Sequence, residues 1–281
     1  MLIGDFMKYI IGVSSGCFLQ RGDGYVLRKR VPAKFRKCWF ELQVGRGYFF
    51  EDFEKVATVH LPFREYHAVY KGNVKIFLEG RNVNIATRNR VLRNAWLKKF
   101  VKIVSEAASR GVRAAVLHYG GCDCRSSQLN NEHRKRHWEA EASFLKQLSK
   151  SCGEVGVILL VENHPYDDTI FLSHLEHMKA ITDNGLARIC LDLPHAYYRE
   201  FKGEADVETL VSSLKDEILE VHLADGNGLS HAPLQLGEGN IKVEAILHQL
   251  SKAEVLIIEL REDPSPSLET AKRLLGKIRS S

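Results

Sequence analysis

Six short apolar runs in this sequence each end on a residue able to ligate a metal or move a proton: His60, His118, Glu162, Asp192, His222 and Glu259. The interior of an apolar strand disfavours such groups, so each marks a point where a strand leaves the core. One alone would read as a residue meeting solvent or capping the next helix. Six at corresponding positions ask for a common cause. Three carboxylates and three imidazoles brought together would repel or stay underhydrated without a cation, and a divalent metal is the simplest cation for them. The mixed oxygen and nitrogen donors suit Mn²⁺, Co²⁺, Zn²⁺ or Mg²⁺.

The elements that must position these residues are legible in the hydropathy pattern. Short β-branched runs alternate with longer amphipathic segments, the pattern of a parallel sheet with crossover helices. Eight such runs cover residues 9–14, 39–44, 56–60, 113–118, 157–162, 188–192, 218–222 and 255–259. Eight β/α units fit a single (β/α)8 TIM barrel, whose C-terminal strand ends converge on one mouth. Glu162, Asp192 and His222 follow one another at intervals of 30 residues, one βαβ repeat each. Helical stripes run through Leu92, Trp96, Phe100, Ile103 and Ala107, then Trp138, Ala142, Leu145 and Leu148, then Leu172, Leu175, Met178 and Ile181. Val207, Leu210 and Leu214, then Val243, Ile246 and Leu250, then Leu268, Ala271, Leu275 and Ile278 complete the set. The first two units are weaker, because Pro32 interrupts the helix expected after the first run and residues 45–52 offer hardly any helix after the second.

Composition narrows the class without choosing a function. The 281 residues are 44% hydrophobic and 27% charged, which excludes disordered, collagenous and low-complexity chains. One domain over residues 1–281 is expected, with 1–7 as a short N-terminal extension. A net charge of +5, without a dense basic block, permits an anionic substrate and does not demand one. No run approaches the 18 or so apolar residues of a membrane helix. Six scattered cysteines, of which only Cys122 and Cys124 are close together, match neither a paired zinc framework nor a disulfide scaffold and point to a reducing cytoplasm.

The ordered series Val59-His60-Leu61-Pro62-Phe63, Leu117-His118-Tyr119-Gly120-Gly121, Leu160-Val161-Glu162-Asn163, Leu191-Asp192-Leu193-Pro194-His195, Val221-His222-Leu223-Ala224-Asp225, Leu236-Gly237-Glu238-Gly239-Asn240-Ile241 and Ile258-Glu259 resembles the xylose isomerase-like TIM barrel superfamily. That superfamily holds sugar isomerases and epimerases, inosose dehydratases and the endonuclease IV type of DNA-repair enzyme. In its sugar epimerases the resemblance implies one divalent metal held by Glu162, Asp192, His222 and Glu259. Glu162 and Glu259 would also be the acid and base, and His195 would touch a substrate oxygen. The endonuclease branch collects more ligands around three metals, and His60, His118 and His195 match positions of that larger set. Where that branch carries an Asp-x-His pair, this chain reads His231-Ala232-Pro233, and Pro233 cannot ligate.

Smaller signals carry two readings each. Gly237-Glu238-Gly239-Asn240 either receives a phosphate on backbone N–H groups at a helix start or makes a plain glycine turn. Arg261, two residues past Glu259, either binds a substrate anion or neutralises Glu262 or Asp263. Arg64, Arg125 and Arg199 follow strand ends and read as a positive field at the mouth or as ordinary surface charge. His133 and His137 have formal metal spacing but stand among Arg134, Lys135 and Arg136, which suggests a solvated face. His174 and His177 read the same way.

The expectation is therefore a divalent-metal-dependent isomerase or epimerase of a sugar or sugar phosphate, working through an enediolate with a metal-linked glutamate pair. Glu162 and Glu259 are the candidate catalytic residues. His60, His118, His195, His231 and Arg261 are the candidate substrate contacts. A small-molecule partner is expected, nucleic acid and membrane are not, and homo-oligomerisation is left open. The alternative is an endonuclease IV-like apurinic/apyrimidinic endonuclease with a multi-metal site, and a non-catalytic barrel retaining a metal is the third class.

Overall fold

The computed structural model describes residues 9–22, 25–46, 48–71, 74–119, 130–165 and 173–278. In chain order the strands are β1 (Ile10–Ser14), β2 (Leu19–Gly22), β3 (Tyr25–Arg28), β4 (Trp39–Gln43), β5 (Val56–His60), β6 (Arg64–Lys71), β7 (Val74–Asn82), β8 (Ala114–His118), β9 (Ile158–Glu162), β10 (Arg188–Asp192), β11 (Ile218–Leu223) and β12 (Val255–Ile258). The helices are α1 (Arg90–Ser109), α2 (Asn131–Glu154), α3 (His174–Asp183), α4 (Leu193–Phe201), α5 (Val207–Leu214), α6 (Val243–Gln249) and α7 (Ser265–Ile278). Eight strands close a parallel barrel in the order β1-β12-β11-β10-β9-β8-β5-β4, with β4 pairing back onto β1. These are the eight runs expected from the sequence.

Side chains alternate along each strand, so one set faces the helices and the other fills the barrel. Phe40, Leu42, Leu117, Val161, Leu191 and Val221 belong to the main core packed between strands and helices. Val116, Leu160 and Cys190 form a separate small cluster. Glu220 stands in register with Cys190, and Glu41 with Thr58, all three polar residues buried. The next inward position up the strands carries His60, His118, Glu162, Asp192 and His222. The barrel is thus capped at one end by polar groups standing on a thin apolar floor.

The helical stripes lie where the spacing placed them. The first five helices are each started by a side chain that accepts from backbone N–H groups: Asn89 for α1, Asn130 for α2, Ser173 for α3, Asp192 for α4 and Asp206 for α5. Leu92, assigned to the first stripe, is exposed, and Leu172 lies outside the described residues. α4 was not foreseen; it follows β10 directly and precedes α5 in the same crossover.

The weak first and second units have a structural cause. Among the described residues the only helices in the crossovers after β1 and β4 are short 3-10 turns, at Ser15–Phe18, Ala33–Phe35 and Phe50–Asp52. In the place of a first helix the chain makes β2 and β3, and after β5 it makes the hairpin β6–β7. These join as an antiparallel sheet in the order β2-β3-β7-β6. Both excursions leave from C-terminal ends of barrel strands, so the added sheet is rooted on the same side as the polar cap. The sequence reading counted neither excursion as strand.

Candidate metal centre

All six strand-end residues meet at the barrel mouth, together with His195 from the first turn of α4. Glu162 is the hub. Its Oε2 lies 2.8 Å from His60 Nε2 and 2.9 Å from His118 Nε2. Its Oε1 lies 3.3 Å from His195 Nδ1 and 3.6 Å from His222 Nδ1. His222 Nδ1 in turn is 3.8 Å from Asp192 Oδ2 and 2.9 Å from Glu259 Oε2. Glu162 and His222 are each 1% exposed, so these groups are withdrawn from water.

Local structure holds several of these side chains by their far side. Asn163 bridges two strand ends, donating through Nδ2 to the Asp192 carbonyl at 2.9 Å and accepting from Asp192 N–H at 2.7 Å. Asp192 caps α4 by accepting the His195 N–H on Oδ1 at 2.6 Å, which leaves Oδ2 for the centre. Gln43 donates to Glu259 Oε1 at 2.6 Å and is itself held by Arg46 through its Oε1. Gly16 makes room for this, since a Cβ there would sit 2.7 Å from Gln43 Oε1. On the other wall Phe63 stacks on His118 at 5.0 Å, and the Arg46 guanidinium lies 4.3 Å over Phe63.

The donor set fits a divalent cation on two observations. The buried His222 Nδ1 has no well-aligned hydrogen-bond partner among the described residues, although three carboxylates surround it. His60 Nδ1–H donates to the Leu61 carbonyl at 2.9 Å, so in the neutral ring Nε2 turns a lone pair on the Glu162 oxygen, an arrangement that needs a proton or a metal between them. Four overlapping sets have the spread of metal ligands: His60–His118–Glu162, Glu162–Asp192–His222, Glu41–His222–Glu259 and Cys190–Glu220–His222.

The metal-free electrostatics agree with this reading. Burial would lower the His60 imidazole, but its bond to Glu162 and the charges of Glu41, Glu162 and Glu259 hold it at about 9. His195 is likewise held at about 9 against burial, by Asp192 and Glu162. Burial wins at His118, which is lowered although it shares the same Glu162 oxygen with His60. Burial would raise Glu259, yet His222 brings it down to about 2.

Below the centre lie groups that sequence reasoning missed. His222 Nε2 is 3.0 Å from Glu41 Oε2, and Glu220 Oε1 accepts from Thr58 Oγ1 at 3.1 Å. Burial raises Glu220 to about 7. The available signal was a carboxylate inside an apolar run, two residues before the strand-end position in both WFELQ and ILEVHL.

The remaining candidates separate. His231 stands behind His195, with ring centroids 6.1 Å apart. Arg261 is exposed on the turn after β12, outside the cluster. Cys122, Cys124 and Arg125 lie outside the described residues. The glycine segment is a structural turn: Asp225 accepts from Gly237 N–H at 3.0 Å and Ile241 N–H at 3.0 Å, Gly237 has φ of 95°, and α6 starts only at Val243. The solvated-face reading is corrected for His137, His174 and His177, whereas His133 is partly exposed. His137 is buried against the Ala86 carbonyl at 2.9 Å, and His177 is buried against Glu141 at 2.9 Å. His174 is buried too, because α3 turns its first-turn face inward. Arg199 is also buried, paired with Glu204.

Comparison with known proteins places these features. The family described as xylose isomerase-like TIM barrel matches residues 55–280. Among solved structures, a D-tagatose 3-epimerase-like protein is 19% identical with a TM-score of 0.74, covering 96% of this chain and 98% of that one. The apo form of a 3-keto-D-glucoside 4-epimerase from E. coli is 18% identical with a TM-score of 0.65, covering 98% and 100%. A protein from Thermus thermophilus, soaked with ZnCl2, is 21% identical with a TM-score of 0.63, covering 87% and 91%. At these identities the likeness is one of fold. No curated protein matches the sequence significantly.

Proposed function

Because the chain belongs to the xylose isomerase-like TIM barrel family, we propose that the polar cap of the barrel is the active site of a divalent-metal-dependent isomerase or epimerase acting on a sugar or sugar phosphate, within a single barrel domain. The observation that carries this reading is the matched pair of glutamates. Glu162 and Glu259 each turn one oxygen toward His222 Nδ1, and each has its other oxygen held by neighbouring side chains, His60 and His118 for one and Gln43 for the other. Glu162, Asp192, His222 and Glu259 would hold the cation. Bound there, it would polarise a carbonyl and the adjacent hydroxyl of a sugar, acidifying the C–H between them and stabilising an enediolate.

The chain's own groups then divide the work. The Glu259 side chain, 22% exposed against 2% for Glu162, opens furthest to the mouth and takes a proton from one face of the substrate carbon. Glu162 serves the other face, its charge steadied by the imidazoles around it. His118 and His195 are the more open imidazoles of the cluster and suit contacts to substrate hydroxyls, with His231 extending that wall. His60, 3% exposed, supports Glu162 and is closed off from solvent. Two epimerase-type folds among the structural neighbours support this choice.

A second reading, a multi-metal phosphodiesterase of the abasic-site endonuclease type, is favoured by one observation: His60, His118 and Glu162 form a metal-sized set of their own. One experiment separates the two. Purified protein supplied with Mn²⁺, Co²⁺, Zn²⁺ or Mg²⁺ is incubated in D₂O with a panel of ketoses and their phosphates, and in parallel with an abasic-site duplex. Metal-dependent deuterium incorporation beside the carbonyl, with the duplex intact, is the expected outcome. Metal-dependent incision with no exchange in any sugar would overturn the first reading for the second.

A further inference from the structure

We infer that Glu41, a fully buried carboxylate on β4, positions His222 as a metal ligand by accepting the proton of its outer ring nitrogen. This deepens the proposed function, since it rests on His222 belonging to a metal centre. The contact is 3.0 Å from His222 Nε2 to Glu41 Oε2, between side chains that are 1% and 0% exposed. An ionised carboxylate can only accept, so it places the ring proton on Nε2. Nδ1 is then left as the lone-pair nitrogen, and Nδ1 is the atom surrounded by Glu162, Asp192 and Glu259. Orientation, tautomer and basicity of a ligating histidine are all set by such a partner.

Two other side chains come near this ring, Cys190 and Glu220; the Cys190 thiol, raised by burial, is only a weak hydrogen-bonding group. Glu220 Oε1 is 3.7 Å from Nε2, too far for a hydrogen bond, and is occupied by Thr58 Oγ1. Glu41 is also not placed there by its own neighbourhood. β4 pairs with β1 and β5, whereas β11 pairs with β10 and β12, so the contact crosses the barrel interior between strands that share no backbone bond. A carboxylate buried this deeply is costly, and its Oε1 has no hydrogen-bond partner among the described residues. A neutral residue would satisfy the strand at lower cost. The charge is useful only where the imidazole passes it on to a cation. Two residues along the same strand, Gln43 does the corresponding work for Glu259, so β4 supports two ligands of the proposed set while contributing none to it.

The test uses purified full chain and Zn²⁺ alone. Zinc affinity is measured by competition with a chromophoric chelator for wild type, Glu41→Leu, Glu41→Gln and Glu220→Gln, with circular dichroism to confirm the fold. Long-range ¹H–¹⁵N spectra of the zinc-loaded wild type locate the His222 proton. Glu41→Leu should weaken zinc by about 10–100-fold. Glu41→Gln, whose carbonyl still accepts but carries no charge, should weaken it less, and should carry the test if the leucine variant does not fold. Glu220→Gln should bind like wild type. The wild-type His222 proton should sit on Nε2 and exchange slowly. Wild-type affinity in both Glu41 variants, or a proton on Nδ1, overturns the inference while leaving the metal centre standing. A wild type that binds no zinc at the mouth overturns both, and so is distinguishable.

Discussion

Glu162 receives two imidazoles on one carboxylate oxygen and faces two more from the other, and this crowding makes its protonation and that of its neighbours interdependent. In the metal-free protein the resulting pH dependence has a definite sign. His60 and His195, held at about 9 against an ordinary 6.5, contribute stability that is complete below pH 6.5 and lost as pH rises through 9. Glu259, depressed to about 2, contributes above pH 4.5 and loses it as pH falls toward 2. The chelated protein should therefore lose resistance to urea as pH rises from about 6.5 toward 9, while below pH 6.5 His118 and His174, which burial holds toward the neutral form, draw stability the other way. A denaturation midpoint that stays level from pH 6.5 to 9 would contradict these pairs. Substitution separates the chemistry from the fold: Glu162→Gln and Glu259→Gln should each lower turnover by about 10²–10⁴-fold with the barrel intact. Deuterium exchange at the wild-type rate in either variant would remove that residue from proton transfer. The types of these residues and their strand-end positions were legible in the sequence. Their second partners were not, because Glu41 and Gln43 sit inside a run that reads as ordinary strand and meet the site only across the barrel.

At the level of elements, the candidate ligands are held in place because strand ends are tied to each other and not merely exposed together. Asn163 makes a two-way amide bridge from the end of β9 to the backbone of Asp192 at the end of β10, and Asp192 then starts α4. Asn163→Ala would leave a buried N–H and carbonyl unpaired, which costs about 1–3 kcal/mol per group. Chemical denaturation should show a loss in that range together with weaker metal binding, since Asp192 loses its anchor. A variant as stable as wild type, with unchanged metal affinity, would show that packing alone holds Asp192. The glycine segment behaves similarly. A Cβ at Gly239 would collide with Asp225 Oδ1, so its role is to let the loop close on that carboxylate and not to cradle an anion.

At the scale of the molecule, closing the barrel is what turns scattered strand ends into a site. The same closure concentrates Glu41, Glu162, Asp192, Glu220 and Glu259 in one interior, a charge density the histidines offset only when protonated. A cation that binds the folded state alone should stabilise it by about 2.7 kcal/mol at a free concentration of 100 Kd. For a domain of this size that corresponds to about 5 °C in melting temperature. Scanning calorimetry with and without a chelator checks this, and identical melting curves would argue against a metal within the barrel. Among the described residues no helix is long and apolar enough to cross a membrane.

The amino-acid sequence by itself determined the eight barrel strands, the amphipathic stripes that cover them, and the residue types at the mouth. These are local properties, written in periods of two and 3.6 residues and in where an apolar run stops. It also showed that the first two units lack proper helices, though not that the chain builds a second sheet there. Tertiary structure alone decided which side chains touch. Glu41 and His222 stand 181 residues apart and Gln43 and Glu259 216 apart, distances over which no periodicity carries information. It decided as well that His137, His174 and His177 are buried, because a helix face is polar or apolar by its sequence but inward or outward only by what packs against it.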